Sequence, residues 1–407
     1  MTGRAARTWL DRARSHERVV ALSGSTALMM TGAGMAGPVL PVFARQFGVS
    51  IAAVGATVAS FGLARLLLNV PLGSLADRRG RRLLLVGGPL VFAAGMAGAG
   101  LAGGIVSLTV WRFVSGAGSA MYMTGAIVYL ADISTPTNRG RLIGANQGAL
   151  LIGQAIGPGL GGLIADRFGI RAPFYVIAGA GLLACVYAFF RLEETRPVTS
   201  PSPPRSETAA SAGWRDVLRS RAFLAIAVVN FVIFFTRSGT NHTLMPLQGV
   251  SELGLSLGEM GLVLTGIAVV TLLLLPVAAT ISDRRGRTTA IVPSLTGVAV
   301  AVMVIAVAGG VTWFLIGAAI LAVSVAVSGP APAAFAADEA PEEIRGLALG
   351  MFRTTGDIGL LFGPPLLGWI ADVGGYGLAF GVNAGIVAAA IVVFVLMARR
   401  QVGSPGR

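Results

Sequence analysis

The chain holds 407 residues, 54% of them hydrophobic and only 12% charged, and apolar runs long enough to cross a bilayer recur from end to end. That excludes a soluble globular domain, and the lack of period-2 alternation in segments of about 10 residues excludes an outer-membrane barrel. The net charge of +13 does not point to nucleic acid, because it is divided among short loops between apolar segments, where arginine orients a membrane protein and meets anionic lipid headgroups.

Residues 1–18 are polar and mixed in charge and read as a cytoplasmic N-terminal segment. The apolar run that follows is of full span length, so it reads as a retained first helix and not as a cleaved signal. Spans are placed at 19–40, 52–73, 83–103, 106–131, 142–164 and 172–190, a first six-helix half over 19–190. Arg191 to Arg221 is rich in Pro, Ser, Thr and charge and reads as a flexible cytoplasmic linker. Within it Trp214-Arg-Asp-Val-Leu-Arg reads either as solvated linker or as a short helix on the membrane surface. Further spans at 222–246, 259–279, 288–309, 311–334, 346–370 and 377–398 make a second half over 222–398, followed by a cytoplasmic tail, 399–407. The expected fold class is an all-α membrane protein with twelve transmembrane helices in two pseudo-symmetric six-helix halves.

All 31 basic residues are arginine. In this topology 24 lie on the face that holds both ends, only Arg45, Arg167 and Arg171 lie on the other, and Arg65, Arg112, Arg237 and Arg353 fall inside spans. The excess places both termini in the cytoplasm. The single Cys185 leaves no intramolecular disulfide and no thiolate metal cluster, and neither a metal nor a cofactor is expected.

One passage occurs twice. Gly73-Ser-Leu-Ala-Asp77-Arg78-Arg-Gly80-Arg81-Arg returns 206 positions later as Ala279-Thr-Ile-Ser-Asp283-Arg284-Arg-Gly286-Arg287-Thr. The same offset pairs Asp132 with Asp338, Arg139-Gly140 with Arg345-Gly346, Gly157-Pro158 with Gly363-Pro364, and Ala165-Asp166 with Ala371-Asp372. An internal duplication of membrane helices is how many secondary transporters are built. Aspartate followed by arginines and a glycine suits a tight turn with its charges at headgroup level.

Four motifs carry a family resemblance: the loop Gly73–Arg82; Leu108-x-x-x-Arg112-x-x-Ser115-Gly116-x-Gly118-x-Ala120 in span 4; Gly153-Gln-Ala-Ile-Gly157-Pro158-Gly159-Leu-Gly161-Gly162 in span 5; and Gly34-x-x-Gly-Pro38-Val-Leu-Pro41 in span 1. On these the chain resembles the major facilitator superfamily, and within it the twelve-helix drug/proton antiporters of bacteria. The resemblance implies that Asp77 meets the positive N-terminal end of helix 11 and locks an outward-facing state. It gives a gating role to Gly73, Asp77, Arg78, Gly80 and Arg81, to Asp283, Arg284 and Arg287 in the second copy, and to Asp132 as a partner of the loop arginines. It links Arg112 to proton coupling and the span 5 motif to antiport. Gly157, Pro158, Gly161 and Gly162 then read either as close helix packing with a proline kink or as a contact against helix 8 that limits ion leak. Two features depart from the pattern: span 1 has no acidic residue between Val19 and Leu40, and the 206 offset from Arg112 lands on Ala318.

An arginine at a helix centre costs about 2.5–3.5 kcal/mol on insertion scales, so the four intramembrane arginines must meet water, the bundle interior or a carboxylate. Asp357 is the one acidic residue deep in a span and follows Arg353 by one turn, on the same face. Arg353 and Arg65 compete as its partner and are candidate gating residues, since a pair across the interface between the halves would have to break or shift during alternating access; Asp357 reads either as half of a permanent neutral pair or as the proton carrier. Helix 7 carries Asn230, Arg237, Asn241 and His242. His242 is a second candidate for proton coupling, because imidazole changes charge near neutral pH, or else a water-facing residue near the span boundary. Arg237, Asn230 and Asn241, with Met30, Tyr122, Met123 and Trp313 as an adaptable apolar wall, are the candidate substrate cavity. Midplane arginines with a single aspartate favour an anionic or zwitterionic ligand.

The leading expectation is a secondary active transporter that exports small amphiphilic or drug-like molecules by proton antiport with alternating access. A proton-coupled metabolite symporter of the same fold is the alternative, and a non-transporting membrane sensor is a remote one. No P-loop, metal-ligand spacing or nucleophile–base set is present, so an enzyme is not expected. The expected partners are a small-molecule substrate, protons and the lipid bilayer, with no nucleic acid and the monomer as functional unit. The expected location is a bacterial cytoplasmic (inner) membrane.

Overall fold

In hydrocarbon every backbone polar group must be satisfied within its own segment, and for runs of this length that dictates helices. A computed structural model describes residues 2–135, 137–195, 217–329, 331–340 and 344–398, with side chains from Glu17 to Met397 in these ranges. The first half contains α1 (Thr2–Arg45), α2 (Ile51–Arg79), α3 (Arg81–Gly100), α4 (Ile105–Ile133), α5 (Arg139–Phe168) and α6 (Ala172–Arg191). The second contains α7 (Arg221–Ser251), α8 (Leu257–Arg285), α9 (Arg287–Ala306) and α10 (Val311–Glu339). One helical stretch, Arg345–Ala398, completes it, and the non-helical backbone of Gly374 and Gly375 divides this stretch into α11 (345–373) and α12 (376–398). Eleven continuous stretches among the described residues are thus twelve spans. The surface-helix reading at Trp214 and most of the linker fall outside the described residues.

The duplication is visible in the helix ends. α2 and α8, α3 and α9, and α4 and α10 begin and end 206 positions apart. The six glycines with positive φ fall into three pairs at the same offset: Gly48 and Gly254 (72° and 70°), Gly80 and Gly286 (97° and 91°), Gly169 and Gly375 (91° and 78°). An L side chain in this region costs about 1–2 kcal/mol, so both copies make their turns with the residue that has no Cβ.

Two expectations are corrected here. The basic passages are not loops: α2 runs on through Asp77, Arg78 and Arg79, α8 runs through Asp283, Arg284 and Arg285, and the turn in each is one glycine. A single left-handed residue is enough to reverse the chain, so the flanking charges stay helical. α1 likewise continues back to Thr2, so the polar N-terminal segment is part of the first helix.

The chain divides into two compact units: residues 1–43, 60–198 and 257–261, and residues 44–59, 199–256 and 262–407. In the first, Leu72 and Ala76 of α2 pack against Leu84 of α3 and Ala120 of α4, and the rings of Phe43 and Phe174 lie 5.3 Å apart. In the second, Phe335 and Phe394 meet at 5.5 Å. Large apolar side chains such as Val70, Leu101, Phe190 and Leu273 are strongly exposed, as a lipid-facing surface requires.

Candidate functional site

In the first unit Arg81, first residue of α3, is a buried hub. Its Nε donates to Asp132 Oδ2 at 2.8 Å, its Nη1 donates to the carbonyl of Ala76 at 3.1 Å, and Asp77 lies 3.4 Å from Nη2. Gly80 lets α2 and α3 reverse tightly enough for one guanidinium to reach both helix ends and the end of α4. A further residue joins that the sequence reading missed. Glu194, just past α6, accepts from the backbone N–H of Arg81 at 2.9 Å and of Arg82 at 3.1 Å, capping α3 with a carboxylate where the helix dipole is positive. Thr195 donates to the same Asp132 oxygen at 2.9 Å. Glu193 pairs with Arg18, and Arg191 with Glu17. The second unit repeats the core of this arrangement: Arg287 donates to Asp338 at 3.2 Å and to Ser282 at 3.1 Å, and it pairs with Asp283. Arg78 and Arg284 are exposed, and Gly73 is unobstructed.

The span 5 motif uses two faces. Gly157 and Gly161 sit where a Cβ would strike the backbone of Thr31, Gly34 and Met35 in α1, which is small-residue helix packing. On the other face Pro158 and Gly162 lie against Gly261 and Leu257 in the first turns of α8, and Asp166 accepts from the N–H of Gly258 at 2.8 Å. The second unit duplicates this face: Pro364 and Gly368 lie against Gly55 and Ile51, and Asp372 accepts from the N–H groups of Ile51 and Ala52 at 2.8 and 2.9 Å. Close packing on α1 and a contact with the first turns of α8 are thus both present, one per face. Asp166 and Asp372 were visible as repeated residues, but their capping role was not.

Within the membrane segment of the first unit, Arg112 is 7% exposed. Its guanidinium lies over the Phe61 ring at 4.8 Å, with Nη1 3.6 Å from Met96 Sδ, and its buried Nε has no hydrogen-bond partner among the described residues. Nearby in sequence, Tyr122 donates to the carbonyl of Leu22 at 3.0 Å and contacts Thr26 Oγ1 at 2.9 Å, and Thr26 bonds Asn146 at 2.7 Å. This buried polar chain ties α1 to α4 and α5. It corrects the placement of Tyr122 in an open cavity wall: its side chain is wholly enclosed. Met30 is also buried, Met123 is partly covered, and Trp313 is exposed in the first turn of α10.

In the second unit, Asn230 donates to the carbonyl of Phe352 at 2.7 Å and to Thr355 at 3.2 Å, so its amide fastens α7 to α11. From Arg237 to Leu244 the helix is a π-helix. Arg237 is exposed, while Asn241 and His242 are partly covered. Asp357 is half-buried and makes no ion pair among the described residues, and Arg353, one turn earlier, is exposed. Of the two pairings weighed for Asp357, the one with Arg353 is not formed among the described residues; Gly356 and Gly359 of the same helix turn toward Phe234 and Phe231 of α7. Arg65, in the first unit, is partly covered.

The description of the Major Facilitator Superfamily matches residues 22–251 and again 230–407. Multidrug resistance protein 2 of Bacillus subtilis (strain 168) is 28% identical over 346 residues, 84% of this chain and 86% of that protein. Quinolone resistance protein NorA of Staphylococcus aureus is 24% identical over 253 residues, 62% of this chain and 63% of NorA. Among solved structures, a bacterial homolog to the human lysosomal transporter Spinster, in an inward-facing and unoccupied conformation, superposes with a TM-score of 0.81 at 15% identity, covering 97% of this chain and 99% of that one.

Proposed function

Since this chain belongs to the Major Facilitator Superfamily and is a multi-pass membrane transporter, we propose that it exports small amphiphilic molecules in exchange for protons by alternating access. The observation that carries the proton coupling is Asp357: a carboxylate deep in α11, half-buried and in no ion pair among the described residues. A carboxylate fixed to an arginine would stay ionised; one without that partner is able to take up and release a proton as its exposure changes. Arg112, sealed against Phe61 and Met96, supplies a buried positive charge on the other unit. The outward direction is supported by relatives named for multidrug and quinolone resistance. In this reading the protein works as a monomer in a bacterial cytoplasmic membrane, with both termini on the cytoplasmic side.

Transport into proteoliposomes under an imposed pH gradient tests it, with anionic, neutral and cationic amphiphiles and with the Asp357→Asn variant beside the wild type. The expected result is substrate movement opposite to protons, reduced at least about tenfold in Asp357→Asn. Gradient-driven antiport that survives in the variant overturns the role of Asp357. Movement of substrate in the same direction as protons overturns export.

A further inference from the structure

In the first unit α1 and α6 run side by side and are tied together at both ends. At one end the rings of Phe43 and Phe174 lie 5.3 Å apart, and at the other Glu17 pairs with Arg191 and Arg18 with Glu193. Between these ends lies a groove of about 470 Å³, lined by Val20, Gly24 and Leu28 of α1 and by Leu183 and Tyr187 of α6. The spacing of four residues puts each set on one stripe of its helix. Gly24 makes the hollow: among the described residues a Cβ there would meet only Tyr187 Cε1, at 3.7 Å, so a side chain at this position would occupy the groove. The second half differs at this point. Gly153 lies against Ala27 and Thr31, and its counterpart Gly359 lies against Phe231 and Phe235, so this part of α1 matches α7 at an offset of 204. Gly24 then corresponds to Val228, a branched residue.

The groove opens outward. Val20 is 54% exposed and Leu183 is 62% exposed, and both are apolar residues within membrane spans, so their surroundings are hydrocarbon. A hollow left empty there forfeits dispersion contacts for every atom that lines it. Its shape selects the occupant. From Val20 to Leu28 the stripe is about 12 Å long, and its floor is one glycine between two larger side chains. A neighbouring helix, about 10–12 Å across, is too broad to enter, whereas a single polymethylene chain is not. The volume agrees: at roughly 30 Å³ for a group the size of a water molecule, 470 Å³ takes about fifteen of them. One end of the groove also carries charge. Val20 follows Arg18 by two residues and Tyr187 precedes Arg191 by one turn, so a chain in the groove has its polar end beside these arginines. The bond from Arg191 to Glu17 uses Nη1, and the side chain is 54% exposed, which leaves further guanidinium donors open to a phosphate oxygen.

We infer that the α1–α6 groove is a phospholipid site: one acyl chain lies along Gly24, between the flanking side chains of α1 and α6, and the phosphate of the same molecule meets Arg191. This lipid is held by shape along its chain and by charge at its head, so it exchanges more slowly than the lipid around the other helices. The site stands apart from the transport reading and from the choice of substrate.

Photolabelling of the full-length protein in vesicles tests the inference. The matrix is phosphatidylglycerol with phosphatidylethanolamine, and the probe is a small fraction of phosphatidylglycerol that carries a diazirine in one acyl chain. Digestion and mass spectrometry locate the label, which is expected to favour residues 20–28 and 183–187 by about tenfold over the lipid-exposed stretch around Leu273. Gly24→Val, which installs the residue of the second half, and Gly24→Leu should each remove that excess, while unchanged labelling around Leu273 shows that the fold is kept. Arg191→Gln should lower the excess several-fold, and Arg191→Lys, which keeps a charge for the phosphate, should retain most of it. Label spread evenly over the exposed helices means annular lipid only and overturns the site, as does an excess that survives both glycine variants. An excess unchanged in Arg191→Gln overturns the phosphate contact. A dimer in native mass spectrometry that Gly24→Leu abolishes makes a second copy of the chain the occupant and likewise overturns the inference.

Discussion

The two basic turns, Gly80–Arg81 and Gly286–Arg287, share sequence, backbone conformation and an Asp–Arg–Asp triad, yet among the described residues only the first is closed over. A Cβ on Gly80 would run into the carboxylate of Glu194, whereas among the described residues nothing lies within 4 Å of one on Gly286. The side chain of Arg81 is 10% exposed and holds Asp132 at 2.8 Å; that of Arg287 is 29% exposed and holds Asp338 at 3.2 Å. The difference comes from the first residues after α6. Glu193, Glu194 and Thr195 are a working part of the first unit, so what reads in sequence as the start of a linker is a cap and an extra donor on the triad. The first copy of the motif thus carries partners from the residues that follow α6.

The largest contrast is expected from removing the arginines. Arg81→Ala removes the charged partner of Asp132 in a covered site, leaving Thr195 as its donor, and should lower stability by about 3 kcal/mol, the low end of the range for breaking a buried pair. Arg287→Ala removes a solvent-screened interaction and should cost about 1 kcal/mol or less. Thermal unfolding of both variants in the same detergent measures the gap; equal shifts would mean that the exposure difference has no energetic meaning. Next come the glycines. Gly80→Ala and Gly286→Ala share a backbone penalty of about 1–2 kcal/mol, and Gly80→Ala must in addition displace Glu194. If the two midpoints move together, Glu194 is not held against the turn in solution. The smallest effect belongs to Glu194→Gln, which keeps one acceptor but loses the charge at the α3 N-terminus, for about 0.3–1 kcal/mol. A salt titration of its unfolding should show a shallower dependence than the wild type, because the charge–dipole part is what salt screens.

Much of the architecture was legible because two strong periodic signals coincide: span-length apolar runs, and a repeat that fixes the count at six plus six. The expected gap between the spans at 346–370 and 377–398 is where the backbone leaves the helix, at Gly374–Gly375, and Gly375 carries the positive φ of its repeat partner Gly169. The span ends were less visible. Asp77, Arg78 and Arg79 look like turn residues, but at a headgroup boundary charge does not stop a helix, and α2 continues to the glycine. The site was legible as residue types and not as contacts. Asp132 as partner of Arg81 followed from the motif, while the engagement of Tyr122 with Thr26 and Leu22 depends on how three helices rotate, which apolar sequence does not encode. The π-helix left only a compositional trace, a run of Ser, Gly, Thr and Asn in mid-membrane, and its anchor Asn383 lies about 140 residues further on, beyond any local signal.

The coincident helix ends say something about how this protein has been allowed to change. Side chains have diverged between the copies until few positions agree, yet from α2 to α4 not one residue has been gained or lost relative to α8 to α10. Substitution was tolerated and insertion was not, as befits helices whose two ends are pinned at opposite surfaces of a bilayer. Pieces cut at Gly80 and Gly286 are therefore interchangeable in length, and a chimera that carries a segment of one copy in the frame of the other would keep every following turn at its membrane boundary.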